Sequence, residues 1–134
     1  MNFTPKIIEF PKILDPRGNL SFLEDNRQVP FAIKRCYWIY DVPGGEIRGS
    51  HAYATLQEVI IALSGSFTVV LNNGEKEESY TLNRSYVGLY VPAMYWRRME
   101  NFSTNSLALI IADQSYDDKD YIRDFDDFVM KSKL

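Results

Sequence analysis

Short stretches in which apolar and polar residues alternate with a period of two dominate the chain, a pattern typical of β-strands buried on one face. Segment 31–40 shows it most clearly. Its alternation predicts two faces: Ile33, Arg35, Tyr37 and Ile39 on one side, and Lys34, Cys36, Trp38 and Tyr40 on the other. Segment 58–63, EVIIAL, is almost continuously apolar, which predicts a strand covered on both faces.

Further segments are predicted as strands: 7–10, 20–23, 67–71, 75–82, 86–91, 95–100 and 107–112. The residues at 72–74, Asn-Asn-Gly, favour a tight hairpin between two of these strands, because Asn-Gly readily adopts the backbone of a two-residue turn. Many short strands separated by turn residues are typical of a sandwich or a barrel. The pattern therefore predicts an all-β domain.

The C-terminal region changes to a helical period. Its apolar residues fall on one face of a helix: Tyr121, Ile122, Phe125, Phe128 and Val129. Residues 115–118 are predicted to cap the start of this helix, with acidic residues in its first turn. The acidic residues between 113 and 127 are interpreted as a solvated helix face rather than as a metal site. One short C-terminal helix is therefore expected after the strands.

Length and charge narrow the class of protein. At 134 residues the chain has the size of one domain, predicted to span residues 1–134. The net charge of −3 argues against a broad nucleic-acid-binding surface. No apolar run reaches the roughly 18–20 residues that cross a bilayer, and no signal-like apolar block opens the chain. The single cysteine, Cys36, cannot form an internal disulfide. A soluble cytoplasmic protein without nucleic-acid or membrane partners is expected.

The single histidine, His51, is the most informative residue. One chain cannot supply two or three histidine ligands to a metal, which argues against most zinc and non-haem iron sites. On a strand, His51 and Tyr53 share a side, and Arg48 adds a fixed positive charge nearby. Histidine is well suited to moving protons near neutral pH, which makes His51 a candidate base. A lone histidine also fits a structural role, and the residues by themselves leave both interpretations open.

The arginines are candidates for binding an anion. Arg35 shares a strand face with Tyr37, and an arginine that faces a barrel interior needs an anionic partner, which a phosphate ligand would supply. Arg97 and Arg98 are adjacent on a strand, so at most one of them points inward. Arg17 lies among turn-forming residues and is most simply an exposed residue. From the residues alone, these arginines could line a cationic cavity or lie on the solvated surface, and both interpretations stay open.

Two spaced motifs resemble those of the cupins. The pattern H-x-Y-x4-E-x6-G, which starts at His51, resembles the first cupin motif, and G-x3-P-x4-R-x3-N, which starts at Gly88, resembles the second. Tyr53 and Arg97 stand at positions where metal-binding cupins have histidine. The resemblance therefore implies a metal-free cupin, an RmlC-like jelly-roll barrel with a short C-terminal helix.

Within the cupins, the chain resembles the nucleotide-sugar 3,4-ketoisomerases of the WxcM-like family, which act on dTDP-4-keto-6-deoxyglucose. The segments that carry this resemblance are IKRCYWIYD (33–41), RGSHAY (48–53), ALSGSFTVVLNNG (62–74), VGLYVP (87–92) and SYDDKDYIRDFDDF (115–128). The resemblance implies metal-free proton transfer between C3 and C4 of a dTDP-linked keto-deoxysugar. It also implies a homodimer and a place in the biosynthesis of dideoxy-aminosugars of the Fuc3N or Qui3N type.

The same resemblance implies roles for individual residues. His51 matches the family's catalytic histidine, and Tyr37 is expected to act with it in the active-site cavity. Substrate-binding roles are expected for five more residues: Arg17, Arg35, Arg48, Tyr53 and Arg97. Of these, Arg17 and Arg97 match positions near the sugar that differ among family members.

Two departures from the family pattern bear on the mechanism. Tyr53 stands where members commonly have a second histidine, and Glu58 stands where glutamine is common. A proton relay through two histidines is therefore in doubt, whereas the first base is retained. Two alternatives stay open: a dTDP-4-keto-6-deoxysugar 3,5-epimerase, and a non-catalytic cupin module that binds sugar nucleotides.

Overall fold

The structure is a computed structural model that describes residues 3–134. The predicted domain begins at residue 1, and residues 1 and 2 lie outside the described range. The strands in chain order are β1 (Lys6–Glu9), β2 (Lys12–Ile13), β3 (Leu20–Ser21), β4 (Arg35–Tyr40), β5 (Arg48–Tyr53), β6 (Glu58–Ser64), β7 (Phe67–Asn72), β8 (Glu77–Leu82), β9 (Val87–Val91), β10 (Trp96–Glu100), β11 (Leu107–Ala112) and β12 (Tyr121–Ile122). A 3-10 helix (Asp118–Asp120) precedes β12, and helix α1 (Phe125–Ser132) follows it.

The strands form two antiparallel five-stranded sheets that pack face to face. The first sheet has the order β1-β9-β6-β11-β4, and the second has the order β12-β5-β10-β7-β8. Strands β2 and β3 form a separate two-stranded ribbon. Apolar side chains from both sheets meet in one core between them. This arrangement is a jelly roll, in which strands distant in sequence become neighbours.

Strand β6 is covered on both faces, as its continuous apolar sequence predicts. Ile60 and Ala62 face the core between the sheets, whereas Val59 and Ile61 face a second apolar cluster on the outside of the first sheet. Phe31 belongs to that outer cluster, which explains why segment 31–40 is not strand throughout. Its first four residues lie outside β4, as part of the layer over the outer face of the sheet.

Strand β4 shows the predicted alternation, but the prediction for Ile33 is wrong: it precedes the strand and packs in the outer cluster instead of on the inner face. Arg35, Tyr37 and Ile39 are half-buried on the inner face, whereas Cys36, Trp38 and Tyr40 are exposed. Because β4 is an edge strand of the first sheet, its inner face lies at the rim of the space between the sheets.

The prediction for the C-terminal region is wrong in where the helix begins. Helix α1 starts at Phe125, with the Asp124 side chain accepting a hydrogen bond from Asp127 N (3.1 Å). Tyr121 and Ile122 instead pair with Tyr53 and Ala52 of β5 as a strand. The sheet edge offers these two residues backbone partners, and tertiary pairing overrides the weak local preference for a helix.

The acidic residues near the C-terminus are not simply a solvated helix face. Asp120 accepts hydrogen bonds from Thr55 N (3.0 Å) and Leu56 N (2.9 Å), and Asp113 accepts one from Gln57 N (3.0 Å). These carboxylates hold the C-terminal segment against the loop between β5 and β6. In the range 3–134, no group of three or more His, Cys, Asp or Glu residues could hold a metal ion. The helices of the same range are all too short or too polar to cross a bilayer.

Candidate active site

A cavity of about 220 Å³ opens between the two sheets near the edge strand β4. Its lining consists of residues from both sheets and from β12: Tyr37, Trp38, Ile39, Arg48, Gly49, His51, Tyr53, Glu58, Arg97, Met99, Ile110 and Tyr121. The polar groups of this lining converge from strands that are far apart in the chain. The jelly-roll topology therefore assembles this site.

A β-bulge in β5 brings Arg48 and His51 to the same cavity. In a regular strand, residues three apart face opposite sides of a sheet. Against β10, His51 pairs with Arg97 and Arg48 pairs with Met99, so β5 has one residue more than its partner between these pairs. Gly49 lies in this bulge with φ +73°, a conformation that glycine adopts without strain. The extra residue reverses the side to which the following residues of β5 point, so that the side chains of both Arg48 and His51 line the cavity.

The His51 side chain is packed among aromatic rings and lacks a protein partner at one nitrogen. The ring centroids of Tyr53 and Tyr121 lie 4.8 Å and 5.0 Å from the imidazole centroid. Nε2 of His51 is buried without a hydrogen-bond partner. Burial, reinforced by the charges of Arg97 and Arg123, lowers the pKa of His51 from 6.5 to about 3. His51 is therefore neutral at pH 7 and free to accept a proton.

Arg97 and Glu58 form a buried ion pair at the floor of the cavity. Their side chains are 3% and 1% exposed, and Nη1 of Arg97 contacts Oε1 of Glu58. The hydroxyl of Tyr37 donates a hydrogen bond to Oε2 of the same carboxylate (3.1 Å). Nε and Nη2 of Arg97 have no hydrogen-bond partner among residues 3–134. One edge of the guanidinium group is therefore paired, and the other edge keeps its donors free.

Arg98 points to the opposite side of the sheet, as predicted for adjacent strand residues. Its guanidinium group pairs with Glu77 (3.0 Å) and Glu100 (2.8 Å). Only Arg97 of this pair enters the cavity.

Tyr37 and Tyr53 of the cavity stay protonated at neutral pH. Burial, with a contribution from the neighbouring Tyr53, raises the pKa of Tyr37 well above its ordinary value of 10. Burial, together with a hydrogen bond to Tyr121, likewise raises the pKa of Tyr53. The hydroxyl groups of Tyr53 and Tyr121 lie 3.2 Å apart. The hydroxyl groups of Tyr37 and Tyr53 can therefore donate or accept hydrogen bonds, but they carry no charge.

The structure brings five of the seven predicted site residues into the cavity lining: Tyr37, Arg48, His51, Tyr53 and Arg97. Arg35 lies beside it, with its guanidinium carbon 5.0 Å from the ring centroid of Tyr37 and 5.5 Å from that of Tyr116. Arg17 does not line the cavity. Its side chain is 90% exposed and pairs with Asp15 within its own turn. A role for Arg17 near the substrate stays a prediction.

Seven residues of the lining are not among the predicted site residues, and two of them, Glu58 and Tyr121, bear polar groups that contact the predicted ones. The sequence marks Glu58 only as a departure from the family pattern, although it is the counter-ion of Arg97. The helical spacing places Tyr121 on a helix, whereas it lies on β12 against Tyr53 and His51. The segment 115–128, which contributes to the family resemblance, was the signal that pointed to this region.

Buried groups without partners are concentrated at this site. In the described part of the chain, four buried side-chain nitrogen or oxygen atoms have no hydrogen-bond partner in the protein: Arg35 Nε, His51 Nε2, Arg97 Nε and Arg97 Nη2. Buried polar atoms in folded proteins are almost always paired, so such a concentration requires an explanation. Three donor groups of arginine beside a neutral imidazole fit a ligand rich in oxygen atoms.

Comparison with known proteins gives consistent similarities. Residues 3–133 match the family model described as FdtA: WxcM-like, C-terminal. A TDP-4-oxo-6-deoxy-alpha-D-glucose-3,4-oxoisomerase of Aneurinibacillus thermoaerophilus is 43% identical over 123 residues, which cover 92% of this chain and 88% of that protein. A crystal structure of a 3,4-ketoisomerase from Helicobacter canadensis is 39% identical and superposes with a TM-score of 0.95 over 99% of this chain and 100% of its own.

A further similar structure contains a ligand. It is the H51N mutant of the 3,4-ketoisomerase QdtA from Thermoanaerobacterium thermosaccharolyticum in complex with TDP-4-keto-6-deoxyglucose. It is 34% identical, with a TM-score of 0.95 over 99% of this chain and 96% of that one. A dTDP-4-dehydrorhamnose 3,5-epimerase from Bacillus anthracis, 16% identical, superposes with a TM-score of 0.76 over 87% of this chain and 76% of its own, which shows a shared fold alone.

Proposed function

The chain belongs to the WxcM-like, C-terminal family, and from this premise we propose that it interconverts dTDP-4-keto-6-deoxyglucose and a dTDP-3-keto-6-deoxyhexose. The predicted family and the predicted cupin jelly-roll fold are confirmed. The observation that carries the proposal is a neutral, unpartnered imidazole of His51 beside the free guanidinium edge of Arg97 in one cavity. These are the two groups that proton abstraction next to a carbonyl requires.

In the proposed reaction, His51 acts on the proton at C3 of the substrate. The C4 carbonyl acidifies this proton, and His51 removes it while the electron pair forms a C3–C4 double bond and negative charge develops on O4. A histidine with a pKa of about 3 is unprotonated at pH 7, but it is a weak base. The anionic diphosphate of a bound nucleotide opposes the charges of the nearby arginines, which raises the basicity of His51 in the complex.

The guanidinium group of Arg97 is proposed to stabilise the enediolate. Its free Nε and Nη2 donors are buried, and a donor in such a site needs no reorganisation when charge develops. The reaction is completed when C4 receives a proton and the proton of the O3 hydroxyl passes to O4, so that C3 becomes the carbonyl carbon and C4 carries the hydroxyl group. One carbon of the substrate is oxidised while its neighbour is reduced, with no net change in oxidation state, so the proposed reaction requires no redox cofactor.

Arg48 and Arg35 are proposed to bind the diphosphate of the nucleotide. A groove of about 470 Å³ adjoins the cavity and shares Trp38, Ile39 and Arg48 with its lining. Arginine grips phosphate oxygens with two parallel donors, and contacts far from the reacting carbons place the sugar against His51. Tyr40 and Trp38 provide exposed aromatic surface in this groove for the thymine ring.

The proposed activity is tested by incubation of the purified protein with dTDP-4-keto-6-deoxyglucose in deuterated water, followed by NMR. We expect deuterium at C4 of the 3-keto product and at C3 of the recovered 4-keto substrate, none at C5, and the same rate after treatment with a chelator. Deuterium at C5 as well would identify a 3,5-epimerase. Tight binding of the dTDP-sugar without any exchange would identify a binding module, and either outcome would contradict the proposal.

A homodimer is part of the proposed function. The N-terminal ribbon exposes Ile13, Leu14 and Leu20, each more than half exposed, and β1 leaves one edge of the first sheet unpaired within residues 3–134. Apolar surface and open strand edges are common sites of association. Leu14→Lys is expected to shift the protein to the mass of a monomer in sedimentation velocity, and Met130→Lys serves as an exposed control. An unchanged sedimentation coefficient would argue against this face. The cytoplasmic location stays a prediction.

A further inference from the structure

Glu58 contacts two polar groups at the floor of the cavity, the guanidinium group of Arg97 and the hydroxyl of Tyr37. Its carboxylate is 1% exposed, and each of its two oxygen atoms has a different partner: Nη1 of Arg97 at Oε1 and the hydroxyl of Tyr37 at Oε2. Glu58 comes from β6 and Tyr37 from β4 in the first sheet, whereas Arg97 comes from β10 in the second. One carboxylate therefore links two groups that face the same cavity from opposite sheets.

This linkage fixes the direction of the hydrogen bonds that remain for a ligand. A tyrosine hydroxyl has one proton to donate, and Tyr37 donates it to Glu58. Only lone pairs of the Tyr37 oxygen are left, so Tyr37 faces a ligand as an acceptor. Arginine has donors alone, and the free Nε and Nη2 of Arg97 face a ligand as donors. The cavity floor thus presents an acceptor beside a pair of donors.

We propose that Glu58 is a positioning residue that imposes this polarity, so that Arg97 binds a ketone oxygen while Tyr37 binds the hydroxyl group on the adjacent carbon. This inference rests on the proposed function and names the chemical feature that the site selects, an α-hydroxyketone in one orientation. The C4 carbonyl accepts from Arg97, and the C3 hydroxyl donates to Tyr37. C3 is thereby the carbon whose hydrogen is presented for removal.

A glutamine at position 58 would not impose the same polarity. A glutamine side chain carries both a donor and an acceptor, so the hydroxyl of Tyr37 is no longer required to donate into the protein. Glutamine also has no charge, which leaves Arg97 without its counter-ion and its guanidinium group less fixed. The carboxylate of Glu58 is therefore what this chain uses to hold both groups.

The test is Glu58→Gln, with Glu77→Gln as the matched control. Glu77 also pairs with an arginine of β10, but on the outer side of the sheet. Binding is measured by calorimetry in a His51→Asn background, so that no turnover occurs. The probes are dTDP-4-keto-6-deoxyglucose, the corresponding 4-keto-3,6-dideoxysugar without the C3 hydroxyl, and dTDP as a ligand without sugar.

With Glu58 present, we expect the 3-hydroxy sugar to bind about tenfold more tightly than the 3-deoxy sugar, as one buried hydrogen bond implies. Glu58→Gln is expected to reduce this preference to about twofold, with dTDP affinity unchanged, because the remaining contacts do not distinguish the two sugars. With His51 intact, the same substitution lowers kcat more than it raises KM. Glu77→Gln changes none of these quantities.

A role for Glu58 as a counter-ion only would appear differently. In that case Glu58→Gln lowers the melting temperature while the preference for the 3-hydroxy sugar stays tenfold, and the inference is overturned. Tyr37→Phe provides a second variant if Glu58→Gln does not fold, because it keeps the buried ion pair and removes the Tyr37 hydroxyl, with its hydrogen bond to Glu58 and its acceptor lone pairs. The same loss of preference is expected from it, and a retained preference would again reject the inference.

Failure of this inference is distinguishable from failure of the proposed function. If the unsubstituted protein exchanges deuterium at C3 and C4 but Glu58→Gln retains the sugar preference, only the role of Glu58 is wrong. If the unsubstituted protein shows no exchange at C3, the proposed function itself is wrong, whatever the binding preferences are.

Discussion

His51→Asn is expected to lower kcat by about 10³-fold or more, because asparagine has nearly the size of the imidazole but cannot accept a proton. Tyr53 and Tyr121 contact the ring on two sides and are left in place by this substitution. The affinity for dTDP is expected to change by less than about threefold, since the arginines proposed to bind phosphate are retained. The rate is measured by NMR with dTDP-4-keto-6-deoxyglucose, and the affinity by calorimetry. Normal turnover by this variant would remove His51 as the base.

The same variant tests the environment of His51 through the pH dependence of stability. The pKa of His51 is about 3 in the folded protein and 6.5 as an ordinary histidine, so the unfolded chain binds this proton first. The folded state carries no penalty from His51 above pH 6.5 and loses stability as the pH falls from 6.5 towards 3. His51→Asn is expected to remove this part of the acid sensitivity in urea unfolding measured across that range. An unchanged pH profile would mean that His51 is solvated rather than buried.

Arg97→Met is expected to reduce the free energy of unfolding by about 3–5 kcal/mol, because it leaves the Glu58 carboxylate buried without its counter-ion. Activity is expected to fall with it, since the free Nε and Nη2 donors are lost. Urea denaturation measures the stability. Arg98→Met is the matched control on the same strand, and its half-exposed pairs with Glu77 and Glu100 predict a loss of about 1 kcal/mol or less.

A compensating substitution separates the charge from the packing. Replacing both partners by apolar residues, Arg97→Met with Glu58→Leu, is expected to recover much of the stability, because no charge is then left buried without a partner. The double variant is expected to stay inactive. Equal stability of Arg97→Met and Arg98→Met would show that the Glu58 carboxylate is not held in a dry interior.

Much of the local structure could be predicted from the sequence because the period of a strand is short. The alternation along β4, the double coverage of β6 and the division of Arg97 and Arg98 between opposite sides of β10 all follow from a repeat of two residues. These features depend on neighbours one or two positions away. The family resemblance added the fold and the identity of His51, whose placement in a cavity supports the expected role.

The arrangement of the site depended on contacts that no local pattern contains. The bulge at Gly49 places Arg48 beside His51, against the phase of an ideal strand. The apolar residues that follow Tyr121 are spaced as in a helix, but Tyr121 itself pairs with the free edge of β5 and forms part of a strand.

By itself, the sequence determined most of the strands, such as β4, β6 and β7, the faces of them that are apolar, and that one histidine is available for chemistry. Only the tertiary structure decided that Glu58 pairs with Arg97 and accepts a hydrogen bond from the hydroxyl of Tyr37. The physical reason is that strand periodicity is set by the backbone over a few residues, whereas burial of a charge is set by the partner that the opposite sheet provides.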